Sequence, residues 1–181
     1  MKFYVGVHSV PSGPAGLAIR TATELYCKPP WILGPANPAT HAFLMWEHAD
    51  WVVYRLDGQP GGAALSVYPS GWQFTVPTAI WRLHDDIDRK GTLNQIVHLV
   101  GQEYGYFEVL AQGLPLPIGL KALDVVKHSS LCTRVVQLVM ESAGGPVAAA
   151  AKSLPDLFPE RFGRMCQTAT EANEGWLTRV L

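Results

Sequence analysis

From residue 41 to residue 76 the chain is a run of short apolar segments cut by turn residues. After residue 92 it changes to segments with helical spacing. That order constrains the fold more than any other feature. Residues 41–46 read as a strongly apolar strand, Glu47-His48-Ala49-Asp50 as a turn, and residues 51–56 as the returning hairpin strand. Asp57-Gly58-Gln59-Pro60-Gly61-Gly62 reads as a second turn, and residues 63–68 and 71–76 as two further strands. A weakly alternating strand over residues 2–7 precedes this meander, followed by a short helix over residues 17–25 and two proline-rich loops, residues 28–31 and 34–38. In the second half, Leu93, Ile96, Val97 and Val100 predict a helix over residues 92–103 with Thr92 as its N-cap. Residues 106–112 form another candidate helix, and residues 113–119 a Pro/Gly-rich loop. Ser130 reads as the N-cap of an amphipathic helix to Ser142, with Leu131, Val135, Leu138, Val139 and Ser142 on one stripe. Gly144-Gly145-Pro146 ends that helix. Strands first and helices afterwards imply an α+β domain with an antiparallel sheet packed against helices. Residues 1–150 would form its body, and residues 151–181 a peripheral helical extension of the same domain.

Composition narrows the function classes. With 181 residues the chain can bury a real core. Its net charge of −1 and its lack of a basic block argue against a nucleic-acid footprint. The 3 cysteines, Cys27, Cys132 and Cys166, are odd in number and widely spaced, which makes a poor disulfide framework. No CxxC or HxxxH spacing suggests a metal site, and no cofactor motif occurs. Asp85-Asp86-Ile87-Asp88 lacks the ligand spacing and glycine of a calcium loop and reads as a solvated helix start. The apolar run at the N-terminus is too short for a signal peptide. Nothing approaches the roughly 18 apolar residues that span a bilayer. The expectation is a cytoplasmic or particle-associated protein.

Two distant segments carry the chemistry. Thr40-His41-Ala42-Phe43-Leu44 places a histidine at the head of a buried strand. Ser130-Leu131-Cys132-Thr133-Arg134 places a cysteine in the first turn of a helix. Backbone N–H groups at a helix N-terminus favour the thiolate and can stabilise an oxyanion. An imidazole on a strand is held firmly enough to act as the base. Either residue has a plainer alternative: Cys132 as a small buried hydrophobe, His41 as a structural histidine. His8, His48, His84, His98 and His128 fall in turns, loops or helix faces, with His128 the reserve base. Trp31, Trp46, Trp51, Trp72 and Trp81 either line a groove or fill the core and assembly surfaces.

The order strand-His, hairpin, Gly-rich turn, helices and then Cys on a helix resembles the circularly permuted papain-like cysteine hydrolases. That group is related to the NlpC-type cell-wall peptidases and to lecithin retinol acyltransferase. The resemblance runs over about residues 13–145. It rests on Thr40-His41-Ala42, on Gly101-Gln102-Glu103-Tyr104-Gly105-Tyr106 and on Leu131-Cys132-Thr133. It implies Cys132 as nucleophile, His41 as general base and Tyr104 as a contributor to the oxyanion site. Its third member, a polar residue on the strand after the His strand, falls near Arg55, which cannot accept a hydrogen bond. Asp57 shares the strand parity of Arg55 and can serve instead, or be ordinary Asp-Gly turn chemistry. The implied activity is a cysteine amidase or peptidase on an amide or ester conjugate, such as a peptidoglycan stem peptide, with delivery by a phage tail as one setting. The alternatives are an inactive papain-like module serving binding or assembly in a viral particle, and an acyltransferase.

Overall fold

The computed structural model describes residues 1–9, 20, 21, 23, 24, 27–49, 52–59, 62–69, 71–101, 132–154 and 158–181. Six strands form one sheet: β1 (Lys2–His8), β2 (His41–Ala49), β3 (Val52–Gln59), β4 (Gly62–Pro69), β5 (Thr78–Leu83) and β6 (Leu177–Arg179). Their order is β4-β3-β2-β1-β5-β6, and every neighbouring pair is antiparallel. Among the described residues four helices accompany it: α1 (Arg89–Leu99), α2 (Cys132–Ser142), α3 (Gly145–Lys152) and α4 (Pro159–Glu171). The α+β class and the antiparallel sheet are as the residue pattern predicts.

Strand alternation gives the sheet two different faces. One face puts Phe3, Val5, Val7, Ala42, Leu44, Trp46, Leu56 and Trp81 into the main core with Val135, Val136, Val139, Met140 and Phe162 from α2 and α4. The other face holds a second cluster, Phe43, Met45 and Ile80, against Tyr4, Val53 and Phe74. The register pairs His8 with His41 across β1 and β2, and Phe43 with Asp57 across β2 and β3. His8, His41, Phe43, Arg55 and Asp57 therefore share that second face. Gly6 makes room there: a Cβ at this position would lie 2.3 Å from the Phe43 ring and 3.0 Å from the Ala79 carbonyl oxygen.

Several elements depart from the sequence reading. Residues 47–49 are strand, not turn. The Tyr4 hydroxyl donates to Glu47 at 2.9 Å, and the irregularity falls as a register shift between Glu47 and Ala49. Asp57-Gly58 is likewise inside β3, paired with Ala64 and Ala63. Residues 71–76 form no strand. Their aromatics fold back instead, Trp72 stacking on Tyr68 at 4.2 Å and Phe74 on Phe43 at 5.1 Å. The sheet gains β5 in their place, beside β1. Asp88, not Thr92, caps α1: its side chain accepts from the Gly91 N–H, and the Thr92 hydroxyl donates to the Asp88 carbonyl at 2.7 Å. Val97 points to solvent, 76% exposed, because the buried stripe of α1 runs through Thr92, Ile96 and Leu99.

The C-terminal segment is not peripheral. Phe162 and Cys166 of α4 are fully buried, and β6 extends the sheet beyond β5. Trp46 and Trp81 are core, not groove. The expected helices over residues 17–25 and 106–112, the loop over 113–119 and the Ser130 cap lie wholly or largely outside the described residues.

Candidate active site

The site sits where β2 begins and α2 begins. Cys132 is the first residue of α2 and 3% exposed. His41 is the first residue of β2, its side chain 13% exposed. The imidazole and the thiol lie close enough to interact, and the Ala42 N–H and the Thr133 hydroxyl also approach the sulfur. The hydroxyl lies 4.0 Å from Sγ. On its far side His41 donates from Nε2 to Oδ1 of Asp57 at 2.7 Å. With Nε2 engaged, Nδ1 is the nitrogen left for the sulfur. Asp57, His41 and Cys132 thus form one line of interacting side chains, its Asp57–His41 link a 2.7 Å hydrogen bond.

The electrostatics follow from that line. Burial opposes charge on all three groups, and their mutual contacts more than offset it. Burial would raise the Cys132 thiol. The His41 charge and hydrogen bond, the Ala42 N–H and the Thr133 hydroxyl hold it below the ordinary thiol value. Burial would lower His41, yet the sulfur's charge and the Asp57 carboxylate push it up to about 9. Burial would raise Asp57, but donation from His41 and Arg55 keeps it below the usual carboxylate range. These directions favour a thiolate beside an imidazolium over the neutral pair. Cys166 shows the contrast: buried without such a partner, its thiol is pushed far up.

Two neighbours were not singled out by sequence as site residues. Arg55 donates from Nη2 to the same Asp57 oxygen at 2.7 Å and to His8 Nε2 at 3.2 Å. Its guanidinium lies over the Phe43 ring at 4.4 Å and near the Phe74 ring at 5.4 Å. His8, expected in a turn or loop, is buried at the end of β1 with its ring centroid 5.0 Å from that of His41. Burial and the nearby His41 and Arg55 charges lower it to about 3, so it stays neutral. The pairing of His8 with His41 in an adjacent strand was the available signal, and it needed β1 to be registered against β2.

The approach to His41 is pinned by a third unforeseen residue. Glu160 on α4 is 0% exposed and accepts from the Ile32 N–H at 2.9 Å and the Ala39 N–H at 2.8 Å. Arg164 pairs with it at 3.0 Å and also donates to the Lys28 and Pro30 carbonyls. Glu160→Gln turns an acceptor into a donor facing one of those N–H groups. We expect a loss of about 2–3 kcal/mol of stability by urea denaturation, more than an exposed Glu171→Gln change, which should be close to neutral.

Of the sequence-derived site residues, Cys132, His41 and Asp57 meet. Tyr104 and His128 lie outside the described residues. Among the described residues no group of three His, Cys, Asp or Glu side chains is arranged to hold a metal ion, and no helix is long and apolar enough to cross a membrane. Comparison of the chain with protein-family models, curated proteins and solved structures finds no match.

Proposed function

We propose that this protein is a cysteine amidase or peptidase of the permuted papain-like type, with His41 preceding Cys132 in the chain. The observation that carries the reading is the 2.7 Å hydrogen bond between His41 and the buried Asp57 carboxylate, with the Cys132 sulfur beside that imidazole. A purely structural histidine would have no need of both a buried carboxylate and a thiol beside its ring. The Asp57 carboxylate at the third position also removes the feature that favoured an inactive binding module.

The chemistry follows from the groups present. The Cys132 thiolate attacks the carbonyl carbon of an amide, a C–S bond forms, and the π electrons move to oxygen. In this reading, N–H groups in the first turn of α2 stabilise that oxyanion. As the oxyanion collapses, the C–N bond breaks and the leaving nitrogen takes the proton from His41. Water then attacks the thioester, His41 accepts its proton, and the thiolate leaves. Asp57 keeps the imidazole oriented and stabilises its charged form throughout. The substrate class is an amide- or ester-linked conjugate, with peptidoglycan stem peptides the first to try. An acyltransferase would differ only in the final acceptor.

Intact-mass analysis after incubation with p-nitrophenyl acetate and then muropeptides tests this. The expected result is an acyl adduct mapped to Cys132, absent in Cys132→Ala. Labelling at Cys27 or Cys166 instead, or no adduct with any acyl donor, would overturn the proposal.

A further inference from the structure

Arg55 stands two residues before the carboxylate that holds the imidazole, and it is tied down on every side. It donates to Asp57 Oδ1, the oxygen that also accepts from His41, and to His8 Nε2. The rings of Phe43 and Phe74 flank its guanidinium. Because a guanidinium only donates, His8 must present Nε2 as an acceptor and carry its proton on Nδ1. His8 Nδ1 and Arg55 Nε are both buried without a partner among the described residues. A buried cluster with a fixed charge and two unpartnered donors costs stability compared with an apolar packing of the same space. Such a cluster calls for a role beyond folding.

We propose that Arg55 is a positioning residue of the cysteine site, whose fixed charge on Asp57 sets how tightly His41 keeps its proton. The inference rests on the cysteine-hydrolase reading above. Asp57 and Arg55 together are neutral. Cys132 and His41 together are also neutral, whether as thiolate and imidazolium or as thiol and imidazole. Proton transfer between them then takes place in a buried site of constant, zero net charge. Without Arg55 the site would carry a net negative charge. It would hold protons more strongly, both on the sulfur and on the imidazole. An imidazolium that binds its proton too tightly is a poor acid toward the departing nitrogen. Arg55 therefore favours the collapse step while leaving Asp57 free to orient the ring.

Among the described residues, the other groups around His41 do not supply this charge. His8, from β1, is neutral. β4 sets Ala64 and Ser66 opposite Asp57 and Arg55, and β5 sets Thr78 opposite His8. On α2, Arg134 turns to Glu141 at 3.4 Å. On α4, Glu160 is engaged by Arg164, Ile32 and Ala39.

The test is the His41 titration midpoint, read by NMR on histidine-¹⁵N-labelled protein. It is paired with the pH profile of Cys132 alkylation by iodoacetamide in the same samples. The variants are Arg55→Met, Arg55→Gln and Arg55→Lys. Gln keeps an N–H donor for Asp57 without the charge, and it also serves if Met fails to fold. Losing the charge should raise the His41 midpoint by about one pH unit and move the onset of alkylation upward with it. Lys, which keeps the charge, should leave both near wild type. A fall in the His41 midpoint in Gln or Met would mean that Arg55 only props Asp57 in place, and would overturn the proposal. Unchanged midpoints in both would overturn it too, while wild-type labelling below the free-thiol range would leave the hydrolase reading standing. Wild-type labelling only near the free-thiol pKa of about 8.5 would sink the hydrolase reading, and this inference with it.

Discussion

Replacing His41 by alanine should move the midpoint of Cys132 alkylation up to the free-thiol value of about 8.5 or beyond. In the wild type the imidazolium charge, its hydrogen bond and the Ala42 N–H hold the thiol below its ordinary value against burial. Without the imidazole, burial acts with little opposition and raises it. The sign is therefore fixed: labelling appears at lower pH in the wild type and at higher pH in His41→Ala. The midpoint is a better readout than the rate. At pH 6 a thiol of pKa 8.5 is only about 0.3% ionised, so the lowered wild-type thiol carries the larger thiolate share there. A more basic thiolate is also intrinsically more nucleophilic, which returns a good part of that difference in rate. Cys166 supplies the internal reference, since its thiol is buried and pushed up in both proteins. Turnover should fall much further than labelling, because in the proposed reaction His41 is also the acid that protonates the leaving group. In the wild type that role should fade as pH rises through about 9, where His41 loses its proton. An unchanged labelling profile in His41→Ala would show that the two side chains do not act together.

How far the residues alone reveal this site depends on the range of the interactions involved. His41 and Cys132 are legible because each announces itself locally, one at the head of an apolar strand and the other at the start of an amphipathic helix. The α+β class follows from the change of period along the chain. Asp57 is ambiguous in sequence because Asp-Gly is a strong turn signal, and only the continuation of β3 through Gln59 puts its carboxylate on the site face. Arg55 looks like a defect at the acid's position. Its meaning depends on Phe43, Phe74 and His8, which reach it from β2, the 71–77 segment and β1. The 71–77 segment itself misleads, because its alternating aromatics imitate a strand while packing as a cover over the sheet. The role of Glu160 could not be found locally, since the two N–H groups it accepts from lie more than one hundred and twenty residues away. Short-range periodicity locates the candidate cysteine and histidine here, whereas long-range pairing assembles the groups around them.

Asp57→Asn should then separate chemistry from folding. Asparagine fits the space and can still accept from His41 through its amide oxygen, but it carries no charge to hold the imidazolium. The His41 midpoint should fall from about 9, the thiolate–imidazolium pair should weaken, and turnover should drop by about 10²–10⁴-fold, the range set by loss of a triad carboxylate. The same change leaves the Arg55 guanidinium buried between two rings and a neutral histidine with no counter-charge. Breaking a buried ion pair in this way costs about 3–5 kcal/mol, whereas removing both partners is often close to neutral. Arg55→Met combined with Asp57→Asn should therefore recover most of the stability lost in Asp57→Asn, measured by urea denaturation, and recover none of the turnover. The two sites touch, so their effects cannot be additive. If the double variant regained activity along with stability, Asp57 would be a structural counter-ion for Arg55 and no part of the catalytic line. If it regained neither, the Arg55–Asp57 pair would be supporting the strand itself, and the charge balance argued for this site would be wrong.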